Sequence, residues 1–325
     1  DGFLDRLMKR SRKICKREFD DPSSRRFLPC IYKNDSEREV FDGLTLEDGW
    51  KIWQKANPSI ASGVKKISYI YEQLEEAQSN SIVRAWVLNK DFGIKTSSAV
   101  EWLKFEWYSI PCNLTIADFR GNFCLGGADL AMTTDLCALI LRFHKDKKVY
   151  IYGHAWITRD KLVNDADEAE GAKYLNWSEK GWITIVEDTT VDPSLVAQHI
   201  AELSTKHGII PLFVGYDDKF SQQFKNAAKG LFEIENVPQT AKSLHQSNVI
   251  TENSFRLGEM EILDNNEVIK WCLSNCEVKL DNSNSSLIVK KDGNKAKKID
   301  LAVAIIITTW IYAQHKNEFD TVTKT

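Results

Sequence analysis

The stretch Phe123-Cys124-Leu125-Gly126-Gly127-Ala128-Asp129-Leu130-Ala131-Met132-Thr133-Thr134-Asp135-Leu136 decides how the chain is read. An apolar strand runs into two glycines, delivers a carboxylate at Asp129, turns through Met132-Thr133-Thr134, and begins a second apolar strand with Asp135 at its start. A charge set where a strand should be buried costs several kcal/mol unless something positive neutralises it. The stretch therefore points to a bound metal ion or a phosphate-bearing ligand.

Downstream, the period of the sequence predicts three strands over 122–131, 135–144 and 148–158, joined by tight turns as an antiparallel meander. Acidic, helix-prone sequence over 160–180 and a short strand over 183–186 follow. Asp192-Pro193 then opens a helix carrying Leu195, Val196, His199, Ile200 and Leu203, with proline in the first turn where its missing N–H does no harm; His207-Gly208 ends it. Residues 209–216 are continuously apolar, which marks a central strand buried on both faces and parallel to its neighbour, terminated by Asp217-Asp218. A helix over 219–228, a strand over 232–237, helices over 242–258 and 266–274, strands over 277–280 and 287–291, and an apolar helix over 299–313 complete the pattern. The polar tail beyond is expected to fray. Three antiparallel strands, then alternating helix and strand, make an α/β fold with a mixed sheet flanked by helices.

Upstream, residues 3–18 suit a helix and 26–32 a short strand. From Leu46 to about Ile110 the period is helical. Leu46, Trp50 and Trp53 share a face until Asn57-Pro58 stops it. After Ser62 as N-cap, Val64, Ile67, Tyr71 and Leu74 form a stripe, and a further helix carries Ile82, Ala85, Trp86 and Leu88. The tryptophans are expected to pack in the core.

A chain of 325 residues, 43% hydrophobic and 27% charged, is long enough for two domains with cores of their own. Its net charge of -3 excludes indiscriminate nucleic-acid binding by the whole surface but not by a local patch. Two patches stand out, Lys9-Arg10-Ser11-Arg12-Lys13 with Lys16-Arg17, and the run from Lys290 to Lys298 that ends against Asp300. The longest apolar run, 301–310, is too short to span a bilayer, and no membrane partner is expected. Seven cysteines without paired spacing fit a reducing compartment, and Cys272 with Cys276 lacks the second pair that a zinc site needs. The chain opens at Asp1 with no signal pattern and reads as a piece of something longer.

Three acids stand at element ends where a mixed sheet gathers them: Asp129 ending the first strand, Asp217 ending the central strand, and Asp300 opening an apolar helix. Singly, each has a structural reading as hairpin residue, strand-ending turn or helix cap. Together they are the clustered hard oxygens that two divalent ions about 3.5–4 Å apart require for in-line phosphoryl displacement. Asp135 offers a further ligand or an outer contact.

This strand order and these acids resemble the ribonuclease H-like fold, and the wording is similar to the nuclease region of the terminase large subunit of tailed double-stranded-DNA phages. Gly126-Gly127-Ala128-Asp129-Leu130 with Asp135 resembles that family's first acidic motif, Tyr216-Asp217 its second, and Lys298-Ile299-Asp300-Leu301-Ala302-Val303-Ala304 its third. Trp53-Gln54-Lys55-Ala56-Asn57-Pro58, Asn176-Trp177 with Gly181-Trp182, and Trp271 to Asn275 are supporting matches. The resemblance implies the tail of a packaging ATPase domain over 1–40, a helical connector over 41–115 and a ribonuclease H-like nuclease domain over 116–325. No G-x-x-x-x-G-K-[ST] loop occurs, so P-loop nucleotide hydrolysis does not carry over. What does carry over is a metal-dependent endonuclease that cuts concatemeric double-stranded viral DNA during packaging into the procapsid, in the host cytoplasm. In that reading Asp129, Asp217 and Asp300 are catalytic, and with Asp135 they hold two Mg²⁺ or Mn²⁺ ions. Lys290, Lys291, Lys295, Lys297 and Lys298 grip the DNA backbone from the rim, and the terminase small subunit and the portal protein are partners. The rival readings are a non-catalytic DNA clamp or portal-docking module, and a ribonuclease H-like resolvase or transposase. An actin-like or sugar-kinase-like ATPase fits less well, because its phosphate hairpin needs glycine where Ala131 or Met132 stands.

Overall fold

The computed structural model describes residues 3–15, 30–79, 81–94, 100–132, 135–163, 172–281 and 285–323. It forms two compact units, 1–98 and 99–325. No described helix is long and apolar enough to cross a membrane.

The first unit is helical: α1 (Phe3–Cys15), α2 (Glu37–Asp42), α3 (Trp50–Trp53), α4 (Ile67–Ser79) and α5 (Ser81–Phe92). Its core gathers Val40, Trp53, Ile60, Ile70, Leu74, Val87, Leu88 and Phe92. The Trp53 indole N–H donates to the Val40 carbonyl at 2.9 Å. The Asn57 amide donates to the Asp91 carbonyl at 2.6 Å, and Lys65 donates to Asn57 Oδ1 and to the buried Asp91 carboxylate, each at 2.6 Å. The Trp53-to-Pro58 stretch is thus a packing and hydrogen-bonding device. Of the expected stripe Val64, Ile67, Tyr71 and Leu74, Leu74 is buried as expected, whereas Val64, Ile67 and Tyr71 are exposed and Ile70 and Ala77 are buried in their place. Lys65 turns inward to neutralise Asp91, which shifts the buried phase of α4. Of the strand expected over 26–32, residues 26–29 lie outside the described residues and 30–32 carry no regular structure.

In the second unit the main sheet has the order β5 (Ile183–Val186), β4 (Lys148–Thr158), β3 (Cys137–Lys145), β2 (Phe123–Asp129), β6 (Ile210–Tyr216), β7 (Glu233–Asn236), with β8 (Met260–Ile262) also paired to β4. Strands β2, β3 and β4 are antiparallel, whereas β6 runs parallel to both β2 and β7. The β3–β4 turn places Asp146 and Lys147 at φ of 51° and 65°, the left-handed pair that matches hairpin twist. A smaller sheet pairs β1 (Val100–Glu101) and β10 (Ser286–Lys290) with β9 (Cys276–Leu280). Through β1, Val100 and Glu101 join the second unit.

Alternate residues divide between the sheet's two faces. Leu139, Leu141 and Phe143 join Phe119, Val196, Ile200 and Val214 in the core under α8 (Ser194–His207). The remaining helices are α6 (Phe105–Tyr108), α7 (Tyr174–Glu179), α9 (Gln222–Ala228), α10 (Ala241–Arg256), α11 (Glu267–Ser274) and α12 (Asp300–Thr323). Helix α12 lies across β2, β3 and β6 on the other face, with α10 and α11 packed on it. The expected fraying of the tail is overturned: past a kink at His315 helical structure continues to Thr323, with Phe319 fully buried against Tyr312 and His144. The Tyr312 hydroxyl donates to Asp320 at 3.1 Å. Tyr312→Phe is therefore expected to lower the unfolding free energy by about 1 kcal/mol in a urea titration. Strand β6 is buried on both faces only toward its carboxyl end, since Ile210 is 40% exposed.

Candidate functional site

The site is built where α12 presses on two adjacent parallel strands. Gly127 of β2 pairs in register with Gly215 of β6. A methyl group at Gly127 would lie 2.4 Å from the Ala304 carbonyl oxygen, and one at Gly215 would lie 2.6 Å from Ile311 of the same helix. Both glycines thus face α12 and have no room for a side chain. Two residues further along each strand, on the same face, stand Asp129 and Asp217. Asp300 begins α12 one turn before Ala304. Close helix-to-sheet contact at the glycines therefore sets all three carboxylates at one end of the sheet. The sequence carries this signal as a repeated G-x-D, Gly127-Ala128-Asp129 and Gly215-Tyr216-Asp217, and only its first occurrence entered the motif reading above.

The electrostatics bear out the proximity. Burial, followed by the charges of Asp300, Asp217 and Asp135, holds the Asp129 carboxyl well above the usual carboxylate range. Burial, followed by the charge of Asp135, pushes Asp300 up to about 7. Asp300 is 5% exposed, and its Oδ2 is buried with no hydrogen-bond partner. A buried anionic oxygen without a donor is expensive, and a cation is the natural complement. Among the described residues no three His, Cys, Asp or Glu side chains sit at ready metal-ligand spacing. Like charges drive carboxylates apart, while the strand ends keep their backbones together, so side-chain rotation is the adjustment that remains. Cys137 nearby is pushed up to about 12, first by burial and then by Asp129 and Asp300, which keeps its thiol protonated and poorly nucleophilic.

Comparison with known proteins decides the family. The family described as "Terminase large subunit, endonuclease domain" matches residues 26–316. The chain belongs to this family. The terminase large subunit of Lactococcus phage p2 is 23% identical over 313 residues, covering 94% of this chain and 54% of that protein. Protein YmfN of Escherichia coli K12 is 21% identical, covering 86% and 66%. The crystal structure of the HK97 bacteriophage large terminase shares the fold with a TM-score of 0.58 at 19% identity, covering 86% of this chain and 56% of that one. The chain spans about half the length of these phage proteins. The expected mixed α/β, ribonuclease H-like architecture stands.

The basic run divides between inward and outward side chains. Lys290, at the end of β10, donates to Asp135 Oδ1 at 2.5 Å, and Lys298 lies 3.5 Å from the same oxygen with its side chain only 5% exposed. Both expected DNA-gripping lysines therefore turn inward as counter-ions. The reason is local: Asp135, beside other acids, is half-buried and needs positive neighbours. Burial raises its pKa, but the Lys290 hydrogen bond and the two lysine charges outweigh that and lower it below the usual range. Asp135 is thus engaged by two lysines. Lys295 is exposed, and Lys291 and Lys297 are half-buried. Asn275 fixes the run at both ends, accepting from the Lys291 amide at 2.8 Å and donating to the Lys298 carbonyl at 3.1 Å. Cys272 and Cys276 are buried and free, the Cys276 thiol donating to the Cys272 carbonyl at 3.2 Å.

A pH dependence follows. An acid whose folded pKa is raised contributes stability that is complete below its unfolded pKa and is lost as pH rises through the folded value. For Asp300 that window runs from about 4 to about 7. Urea titrations in chelator are expected to show the Asp300→Asn variant gaining on the parent between pH 5 and pH 8. The difference between the two curves reports Asp300 together with Asp129, whose carboxyl its charge holds up. The buried histidines His144 and His154, each lowered to about 3 chiefly by burial, and His199, lowered to about 4 by burial, titrate the other way in both proteins.

Proposed function

We propose that this chain is a metal-dependent endonuclease that cuts double-stranded DNA, with Asp129, Asp217 and Asp300 as its catalytic acids. What supports this reading is the placement of the three acids at one end of the sheet, near enough for the charges of Asp300 and Asp217 to act on Asp129, with Asp300 Oδ2 buried and unpartnered. The donor set is all carboxylate, which suits Mg²⁺ or Mn²⁺ over softer ions. Two such ions would lower the pKa of an attacking water and stabilise the leaving 3′-oxygen.

The chain's own residues supply position and charge. Asp129 and Asp217 project from paired strands, so their separation is set by the sheet. The Lys219 amide donates to Asp217 Oδ1 at 3.3 Å, restricting its rotamer. Lys290 and Lys298 keep Asp135 ionised but neutralised beside the acids and place positive charge where a phosphodiester arrives. Lys291, Lys295 and Lys297 hold the DNA backbone on the outer side of the same run, a salt-sensitive and sequence-independent contact. In the packaging setting of the phage relatives, the substrate is concatemeric viral DNA in the host cytoplasm, and the small subunit and the portal are the partners. Supercoiled plasmid incubated with the chain is expected to be nicked and linearised in Mn²⁺ and left intact with excess chelator; intact plasmid in both conditions rejects the proposal.

A further inference from the structure

Immediately after Asp217 the chain makes a turn that no role described above requires. Phe220 sits at a φ of 60°, a left-handed conformation that a bulky non-glycine residue adopts only when its surroundings enforce it. Strain of this kind gathers at functional sites. Here it is enforced by a tight brace. The Ser221 hydroxyl, in a residue 4% exposed, donates to the Asp218 carbonyl at 2.8 Å, and Lys225 Nζ pairs with Asp218 Oδ1 at 2.5 Å. The brace does not bury the aromatic ring: Phe220 is 44% exposed, with Lys219 Nζ 5.1 Å from the ring centre.

Beside the ring lies an open cleft of about 350 Å³, bordered by Met132, three residues past Asp129, and by Asp218, Phe220, Ser221, Gln222, Gln223 and Lys225, which follow Asp217. The cleft therefore opens between the two segments that carry the first two acids. Its borders combine an aromatic face and a thioether with two amides and the Asp218–Lys225 ion pair, and Lys219 Nζ stands beside the ring. A flat, polar-edged aromatic ligand attached to a phosphate meets these at once, the ring stacking on Phe220, its edge reaching the amides, and its phosphate facing Lys219.

We propose that Phe220 stacks on a nucleobase drawn out of the duplex next to the cleaved phosphate, and that the cleft between Met132 and residues 220–225 receives it. This rests on the nuclease reading for the choice of DNA as ligand. Taking a base out of the stack costs least where pairing is already broken, so the site favours distorted DNA over intact duplex.

The test is DNA binding in an Asp129→Asn background, by fluorescence anisotropy, with a short perfect duplex and the same duplex carrying a central mismatch bubble. The bubble is expected to bind more tightly. Phe220→Gly should weaken bubble binding by about fivefold or more and bring it to the duplex value, while Phe220→Trp retains the preference. Glycine suits a φ of 60°, so Phe220→Gly is expected to show a Tm no lower than that of its parent, which separates loss of the ring from loss of the fold. A bubble preference that survives Phe220→Gly, or that is absent before any change at Phe220, overturns the proposal. Binding is read without cleavage, so failure of the chain to cut plasmid would count against the acids alone.

Discussion

Asp129→Asn is expected to abolish plasmid cleavage in Mn²⁺ and to leave the chain folded. The change keeps size and shape, removes one charge, and puts an amide nitrogen in place of one of the oxygens proposed to hold a metal. Losing about 4 kcal/mol of transition-state charge stabilisation slows cutting by about a thousandfold. The same change should stabilise the metal-free fold. Burial and the neighbouring Asp300, Asp217 and Asp135 all disfavour charge at Asp129, and a neutral side chain escapes that repulsion. The expected pair of results is lost activity with an equal or higher Tm, read by gel and by thermal melt. Undiminished cutting would remove Asp129 from the site, whereas lost cutting with a collapsed Tm would make its role structural.

The second large effect is expected at Gly127. In Gly127→Ala the new methyl meets backbone atoms of α12, the Ala304 carbonyl oxygen at 2.4 Å and the Thr308 nitrogen at 2.8 Å. Backbone in mid-helix cannot rotate aside, so α12 must lift from the sheet. Overpacking of this kind costs about 3 kcal/mol, on the order of 10 °C in Tm for a unit of this size. Gly215→Ala is the control: its nearest neighbours are the side-chain atoms of Ile311 and Ile307 at 2.6 and 2.7 Å, which can change rotamer, so its cost should be about 1 kcal/mol. Because α12 carries Asp300 at its first turn, Gly127→Ala should also lose more cleavage than its folded fraction explains. A Gly127→Ala protein as stable as its parent would mean that the helix does not bear on β2 at this point.

The meander β2–β4 is legible because its signals are local: apolar runs of strand length, and the Asp146-Lys147 turn, which takes left-handed φ at both positions. The central strand β6 announces itself by continuous apolarity and is parallel to β2, as expected. Strand β8 is not legible, since three residues acquire strand character only from the pairing of Met260 to Ile262 with Val149 to Ile151. The end of α12 is hidden for a similar reason. Its polar residues look like a loose tail until Tyr312 meets Asp320 and His315 meets Glu235 at 2.7 Å.

Charge divides in the same way. From sequence alone, Asp129, Asp217 and Asp300 are determined as acids at element ends, because strand period and helix phase fix where an element stops. Two glycines standing two residues before two of those acids are equally a property of the sequence. Only tertiary structure decides that Lys290 and Lys298 face inward while Lys295 faces solvent. Lys290 and Asp135 are 155 residues apart, and a lysine becomes a counter-ion or a solvated rim charge according to what stands opposite it in space. The opening stretch thus carries both kinds of information: Asp129 is placed by its own strand, and Asp135 by two lysines that arrive from the far end of the chain.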